Sequence, residues 1–107
     1  MRIDDMKPGP ELDRICGEVV FNKSGLELSR EFLPAYSTSW EGMRLVVEEM
    51  QRRGWDYRIE SYRGDVSFAF LQREHEGYSE EVGTELPYIA TLAAIKALQG
   101  SEYDGTD

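Results

Sequence analysis

The stretch "LPYIATLAAIKALQ", residues 86 to 99, constrains this chain more than any other. One helical stripe holds Leu86, Ile89, Ala90, Ala93 and Ala97, and a second holds Tyr88, Leu92, Ile95 and Leu98. Only Thr91, Lys96 and Gln99 are polar. A surface helix carries one apolar stripe, so a helix that is apolar nearly all round must be covered on most of its sides. The spacing predicts a helix over 86–99, ended by Gly100. In a chain of 107 residues one small sheet is too narrow to provide that cover. The expectation is therefore a homo-oligomer, with Leu92 and Ile95 at the subunit interface.

Two further helices are legible. "PELDRICGEVV" places Leu12, Ile15, Cys16, Val19 and Val20 on one side, with Pro10 suited to a first helical position. This predicts a helix over about 10–21, with Cys16 as a small core residue. In "LPAYSTSWEGM", Thr38 and Glu41 have capping-box spacing, and Met43, Val46, Val47 and Met50 form a buried stripe. That helix is expected over 39–53, closed by Gly54. After Gly54 the period changes to two: Trp55, Tyr57 and Ile59 alternate with Asp56, Arg58 and Glu60, and Val66, Phe68 and Phe70 alternate with Ser67, Ala69 and Leu71. Strands over 55–62 and 66–73 follow, joined by the turn "RGD", Arg63 to Asp65. Because Ala69 and Leu71 are hardly polar, both faces of the sheet are expected to be covered. A short strand is expected within 21–35, where Leu26, Leu28 and Phe32 share a face. The predicted fold is α/β: three helices packed on a small, mainly antiparallel sheet, an α/β/α sandwich. The whole chain, 1–107, reads as a single domain, with 1–9 a loose N-terminal arm and 100–107 a disordered acidic tail.

Charge narrows the partners. The net charge is −9, yet residues 19 to 73 are neutral, with eight Lys or Arg against eight Asp or Glu. The excess lies in "EHEGYSEEVGTE", 74 to 85, read as a solvated loop, and in the tail. An acidic chain repels polyanions, which argues against duplex nucleic acid. No apolar run approaches the ~20 residues that span a bilayer, and "MRIDDMKPGP" lacks the apolar core of a secretory signal. One cysteine fits a reducing compartment, so a cytoplasmic location is expected.

"ELDRICGEVV", "LPAYSTSWEGMRLVVEEM", the strand pair and "ELPYIATLAAIKAL", taken in order, resemble the phage ABA-sandwich domain family. That family has a Leu-Asp helix start, a Pro-x-Tyr-Ser-Thr segment before its second helix and an Ala-rich last helix. The resemblance covers residues 11 to 98 and implies an α/β/α sandwich of phage origin. Ser39 stands where an Asp is common in the family, and Arg44 where an aromatic residue often sits. The resemblance transfers no catalytic residue.

Catalytic and metal motifs are missing from the sequence. Neither a P-loop nor a G-x-G-x-x-G pattern occurs, one Cys and one His make no zinc site, and "YDGTD" ends before a calcium loop is complete. His75, between Glu74 and Glu76, reads as an exposed loop histidine. The expectation is a non-enzymatic phage protein without cofactor or metal. Two roles compete for it. The first is to counter bacterial defence by sequestering a nucleotide-type signalling molecule. Aromatic residues Tyr36, Trp40, Trp55, Tyr57 and Tyr62 would stack on a base, and arginines would hold phosphates. Ser37 and Ser39 would hold an anion at the helix N-terminus. The candidate site is Tyr36, Ser37, Trp40, Arg58 and Arg63. The second role is that of a protein-binding inhibitor or adaptor, whose acidic segment 74–85 engages a basic surface of a host protein.

Overall fold

A computed structural model describes residues 2–24 and 33–100, apart from the Tyr62 side chain. It contains three α-helices, α1 (Pro10–Val19), α2 (Trp40–Arg52) and α3 (Leu86–Gln99). The three strands are β1 (Trp55–Tyr62), β2 (Asp65–Gln72) and β3 (Tyr78–Gly83). They form one antiparallel sheet in the order β1-β2-β3. The fold is thus α/β, three helices with a small antiparallel sheet. The strand expected within 21–35 falls mostly on 25–32, outside the described residues, as do 101–107 of the expected tail.

α3 is the centre of the molecule. It packs on β2 and β3 on one side, along α2, and against α1 and a 3-10 turn (Ile3–Asp5) on the other. Ala90, Ala93 and Ala94 are fully buried, and their small side chains let the neighbouring backbones come close. The cover that this helix requires comes from its own chain. Leu92 and Ile95 lie inside the core, so the reason for expecting a subunit interface on them no longer holds.

The N-terminal segment is not a loose arm. Ile3 and Met6 are buried in the core, the Tyr88 hydroxyl donates to the Met6 carbonyl, and Lys96 Nζ donates to Asp4 Oδ1 at 2.6 Å. The sequence hid this because only two apolar residues in the segment are used, Ile3 and Met6, and one i, i+3 pair is too short a pattern to announce a 3-10 turn.

Residues 78–83 are also more ordered than a solvated acidic loop. They form β3, whose inward positions, Ser79, Glu81 and Gly83, lack the apolar alternation that announces a strand. Glu81 and Gly83 each have a local reason. Lys96 Nζ reaches Glu81 Oε2 at 2.6 Å, and a Cβ on Gly83 would overlap Ile89. Lys96 thereby joins the 3-10 turn, β3 and α3 through one ammonium group.

The β1–β2 turn has positive φ at both Arg63 (54°) and Gly64 (91°), as two-residue hairpins require. The expectation that both sheet faces are covered is corrected. Phe68, Phe70 and Glu81 face the helices, and both α2 and α3 lie on that side. On the other face Ala69 is buried and Ser67 and Leu71 are half-buried between the flanking strands, while Asp56, Arg58, Glu60, Tyr78, Glu80 and Val82 are exposed, with no helix over it among the described residues.

Candidate functional site

The hydroxyl run before α2 resolves into three different roles. Ser37 is buried (1 % exposed). Its Oγ donates to Asp13 Oδ1 at 2.7 Å and accepts from the Gly9 N–H at 2.9 Å, while its own N–H donates to the same Asp13 oxygen at 2.8 Å. Thr38 is exposed in the turn. Ser39 is the N-cap: its Oγ accepts from the Gly42 N–H at 2.9 Å and donates to the Ala35 carbonyl at 2.8 Å. The cap is therefore Ser39 and not Thr38. The helix starts at Trp40, and a capping side chain must come from the residue just before it. Glu41, the expected capping-box partner, instead pairs with Arg44. Gly42 lets the first turn of α2 sit against the Ala35 carbonyl, where a Cβ would overlap it.

Tyr36 completes this knot. Its ring stacks on Phe21 at 4.9 Å, and its carbonyl accepts from the buried Thr91 hydroxyl at 3.1 Å. The Leu-Asp, Tyr-Ser-Thr and last-helix segments that stand out in the sequence thus meet through hydrogen bonds. Their role in the structure is to join α1, α2 and α3.

The five residues expected to form a ligand site do not come together as one. Ser37 and Trp40 border a cavity of about 430 Å³ with Thr38, Thr84, Glu85, Leu86 and Pro87. Neither Arg58 nor Arg63 lines it, and Glu85 adds a negative charge to its wall. Tyr36 is committed to the core, and Arg58 lies on the outer sheet face, paired with Glu60 at 2.9 Å and bonded to the Tyr78 hydroxyl at 3.3 Å. Arg63 occupies the hairpin turn. Trp55, also a stacking candidate, is buried.

Of the reactive groups, Cys16 is buried, and His75 borders an open cavity of about 350 Å³ with Arg52, Arg53 and Arg73. Burial pushes the Cys16 thiol well above its ordinary pKa, with the Asp13 charge adding to the effect, so the thiol stays protonated and unreactive. His75 is exposed on the β2–β3 turn. Among the described residues no three His, Cys, Asp or Glu side chains gather as a metal site, and no buried side-chain nitrogen or oxygen lacks a hydrogen-bond partner.

The surface that stands out lies between α2 and β1. Trp40 is 66 % exposed, Tyr57 44 % and Ile59 42 %. Tyr57 and Ile59 face a groove of about 300 Å³ with Met43, Val47 and Phe68, and the Tyr57 ring stacks on Phe68 at 5.7 Å. Trp40 falls on the same helical stripe as Met43 and Val47, at i, i+3 and i+7. Its rim is charged: Arg44 bridges Glu41 and Glu48, and Gln51 lies beside them. Sequence reading placed Met43 and Val47 in a buried stripe and Tyr57 and Ile59 on one face of a strand, and their periodicity gave no sign that the helical layer stops short of them. Compared with protein-family models, curated proteins and solved structures, the chain matches none.

Proposed function

We propose that this protein acts by binding another protein rather than by catalysis, through the apolar surface formed by α2 and β1. The observation that carries the reading is the exposure of Tyr57 and Ile59, large apolar side chains lining a groove, with Trp40 exposed further along the same stripe of α2, in an otherwise strongly charged chain. Exposed aromatic anchors next to a pocket are the usual centre of a protein interface. The acidic balance of −9 favours a basic partner and speeds the encounter. Within segment 74–85, Glu81 is held by Lys96 and Glu80 accepts from the Tyr78 hydroxyl. Glu74, Glu76 and Glu85 are exposed and add to the long-range charge. Taken with the sequence resemblance to the phage family, the partner in this reading is a host protein, and the binding counters a host defence.

The competing reading, capture of a nucleotide, asks Ser37 to hold an anion. The Ser37 hydroxyl is already bonded to a carboxylate and to a backbone N–H, inside the core. The test uses the intact protein as bait in bacterial extract beside a doubly substituted form, Trp40→Ser with Ile59→Lys. A partner retained by the first and lost by the second, at equal melting temperature, is the expected result. A nucleotide mass on the protein in native mass spectrometry, with no protein retained, would overturn the reading.

A further inference from the structure

β1 is an edge strand, and both its backbone and its side chains are available. A two-residue hairpin turn closes on a hydrogen-bonded pair, here Tyr62 and Asp65, and such pairs recur at every second residue. Tyr62, Glu60, Arg58 and Asp56 thus direct their backbone groups to β2, whereas Ser61, Ile59 and Tyr57 direct theirs away from the sheet. No strand lies beyond them among the described residues. Residues 56 to 61 are exposed without interruption. Natural edges are commonly blunted by charge, and Asp56, Arg58 and Glu60 supply that charge on the outer face. The inner face is different, because the same Tyr57 and Ile59 whose backbone groups point outward also line the groove under α2.

We propose that this groove receives an extended, basic segment of a partner protein, which adds to β1 as a fourth strand. The proposal rests on the protein-binding reading above and specifies its mode. Strand addition takes affinity from main-chain hydrogen bonds and specificity from pockets for alternate side chains. The free N–H and C=O groups of Tyr57 and Ile59 offer the first, and the cavity between Met43, Val47 and Phe68 the second. On the rim, Arg44 pairs with Glu48, which also lines the groove, and with Glu41 just outside it, so this stretch of α2 carries two carboxylates to one guanidinium. Lys or Arg between the apolar positions of the incoming strand complements it. A second copy of this chain fits less well. Pairing of two β1 edges about a two-fold axis keeps both helical layers on one side of the sheet, and each α2, which packs over β1, would compete for the space above the seam.

The test is selection of a random linear dodecamer display library on the full chain, followed by NMR of the intact protein with an enriched synthetic peptide. The expected peptides alternate apolar residues with Lys or Arg. Bound, they slow amide exchange at Tyr57 and Ile59 about tenfold or more. N-methylation of peptide amides in one alternate register weakens binding about tenfold, while the other register is nearly silent. Ile59→Lys removes binding without moving the melting temperature. Three results would overturn the inference: peptides whose protection maps elsewhere or that bind as helices, no enrichment at all, or a dimer in sedimentation that Ile59→Lys dissociates. The extract experiment above judges the protein-binding reading separately, since a partner lost on substitution at Trp40 and Ile59 supports that reading whichever way strand addition turns out.

Discussion

α3 and one face of β1 are built largely from apolar and aromatic side chains, yet the two end in opposite environments. Every residue of α3 from Ile89 to Ile95 is buried, whereas Asp56 to Ser61 of β1 are exposed. The difference comes from position in the layers. α3 lies over β2 and β3 with α2 beside it and α1 across it, so it has neighbours all round. Among the described residues β1 has one strand neighbour and only α2 above it, and its inner face is left half covered. An apolar residue therefore serves stability in α3 and remains available for recognition in β1.

The sharpest way to break this contrast is to put the same kind of charge in both places. Ile95→Glu buries an unpaired carboxylate in the core and is expected to destabilise by more than about 4 kcal/mol, enough to leave the chain unfolded or without fixed packing. Ile59→Lys is expected to change stability by no more than about 0.5 kcal/mol. Urea titration followed by circular dichroism reads both. A folded, dissociated Ile95→Glu monomer would restore α3 as an interface helix and reverse the argument.

The Ser37 knot comes next in size. Ser37→Ala leaves the Gly9 N–H without its acceptor and Asp13 with one donor fewer, both buried or half-buried, for an expected loss of about 2–3 kcal/mol. A melting temperature unchanged by this substitution would mean that water replaces the hydroxyl, and would reopen Ser37 as a ligand group. Smaller still, Ser39→Ala removes the cap of α2 and should cost about 1 kcal/mol, while Thr38→Ala stays within about 0.5 kcal/mol. The reverse order would return the cap to Thr38.

The smallest effect concerns pH at the Asp4–Lys96–Glu81 junction. The hydrogen bond from Lys96 holds the Asp4 carboxyl below its ordinary pKa despite the opposing effect of burial, with the charges of Lys96 and Arg2 helping. Burial alone would lower the Lys96 pKa, but the hydrogen bonds to Asp4 and Glu81 outweigh it and raise it. A lowered carboxyl pKa contributes stability above the ordinary aspartate value of about 3.9, which is lost as pH falls through the depressed value. A raised lysine pKa contributes stability below about 10.4, which is lost as pH rises through the elevated value. The protection of amides at residues 3 to 6, relative to the intrinsic exchange rate at each pH, is therefore expected to fall in acid below the ordinary aspartate range and again in strong base, before that of the core of α3 does. Uniform exchange across both regions would show that the N-terminal turn is no separate unit. Since Asp4 is about a third exposed, the effect on global stability is slight.

Much of this architecture was legible before any coordinates. The three helices lie within two residues of their expected limits at each end, because each carries a 3.6-residue apolar period with Pro, Ser or Gly at its ends. β1 and β2 were legible from a period of two around a Gly-containing turn. β3 and the N-terminal turn were not, because Glu81 and Asp4 are accommodated there by Lys96, a partner on a helix that is remote in sequence.

The candidate site divides in the same way. That Tyr36, Ser37 and Trp40 stand at the start of a helix follows from the sequence. That Ser37 turns inward to Asp13 while Trp40 stays in solvent depends on α1 arriving on one side of that turn, a contact made 24 residues back along the chain. Periodicity determines which residues share a face, since that follows from backbone geometry alone. Whether a face is covered depends on how wide the opposing layer is. In this protein α2 and α3 bury Phe68 and Phe70 and stop short of Tyr57 and Ile59, a limit set only by how the helices pack on one another.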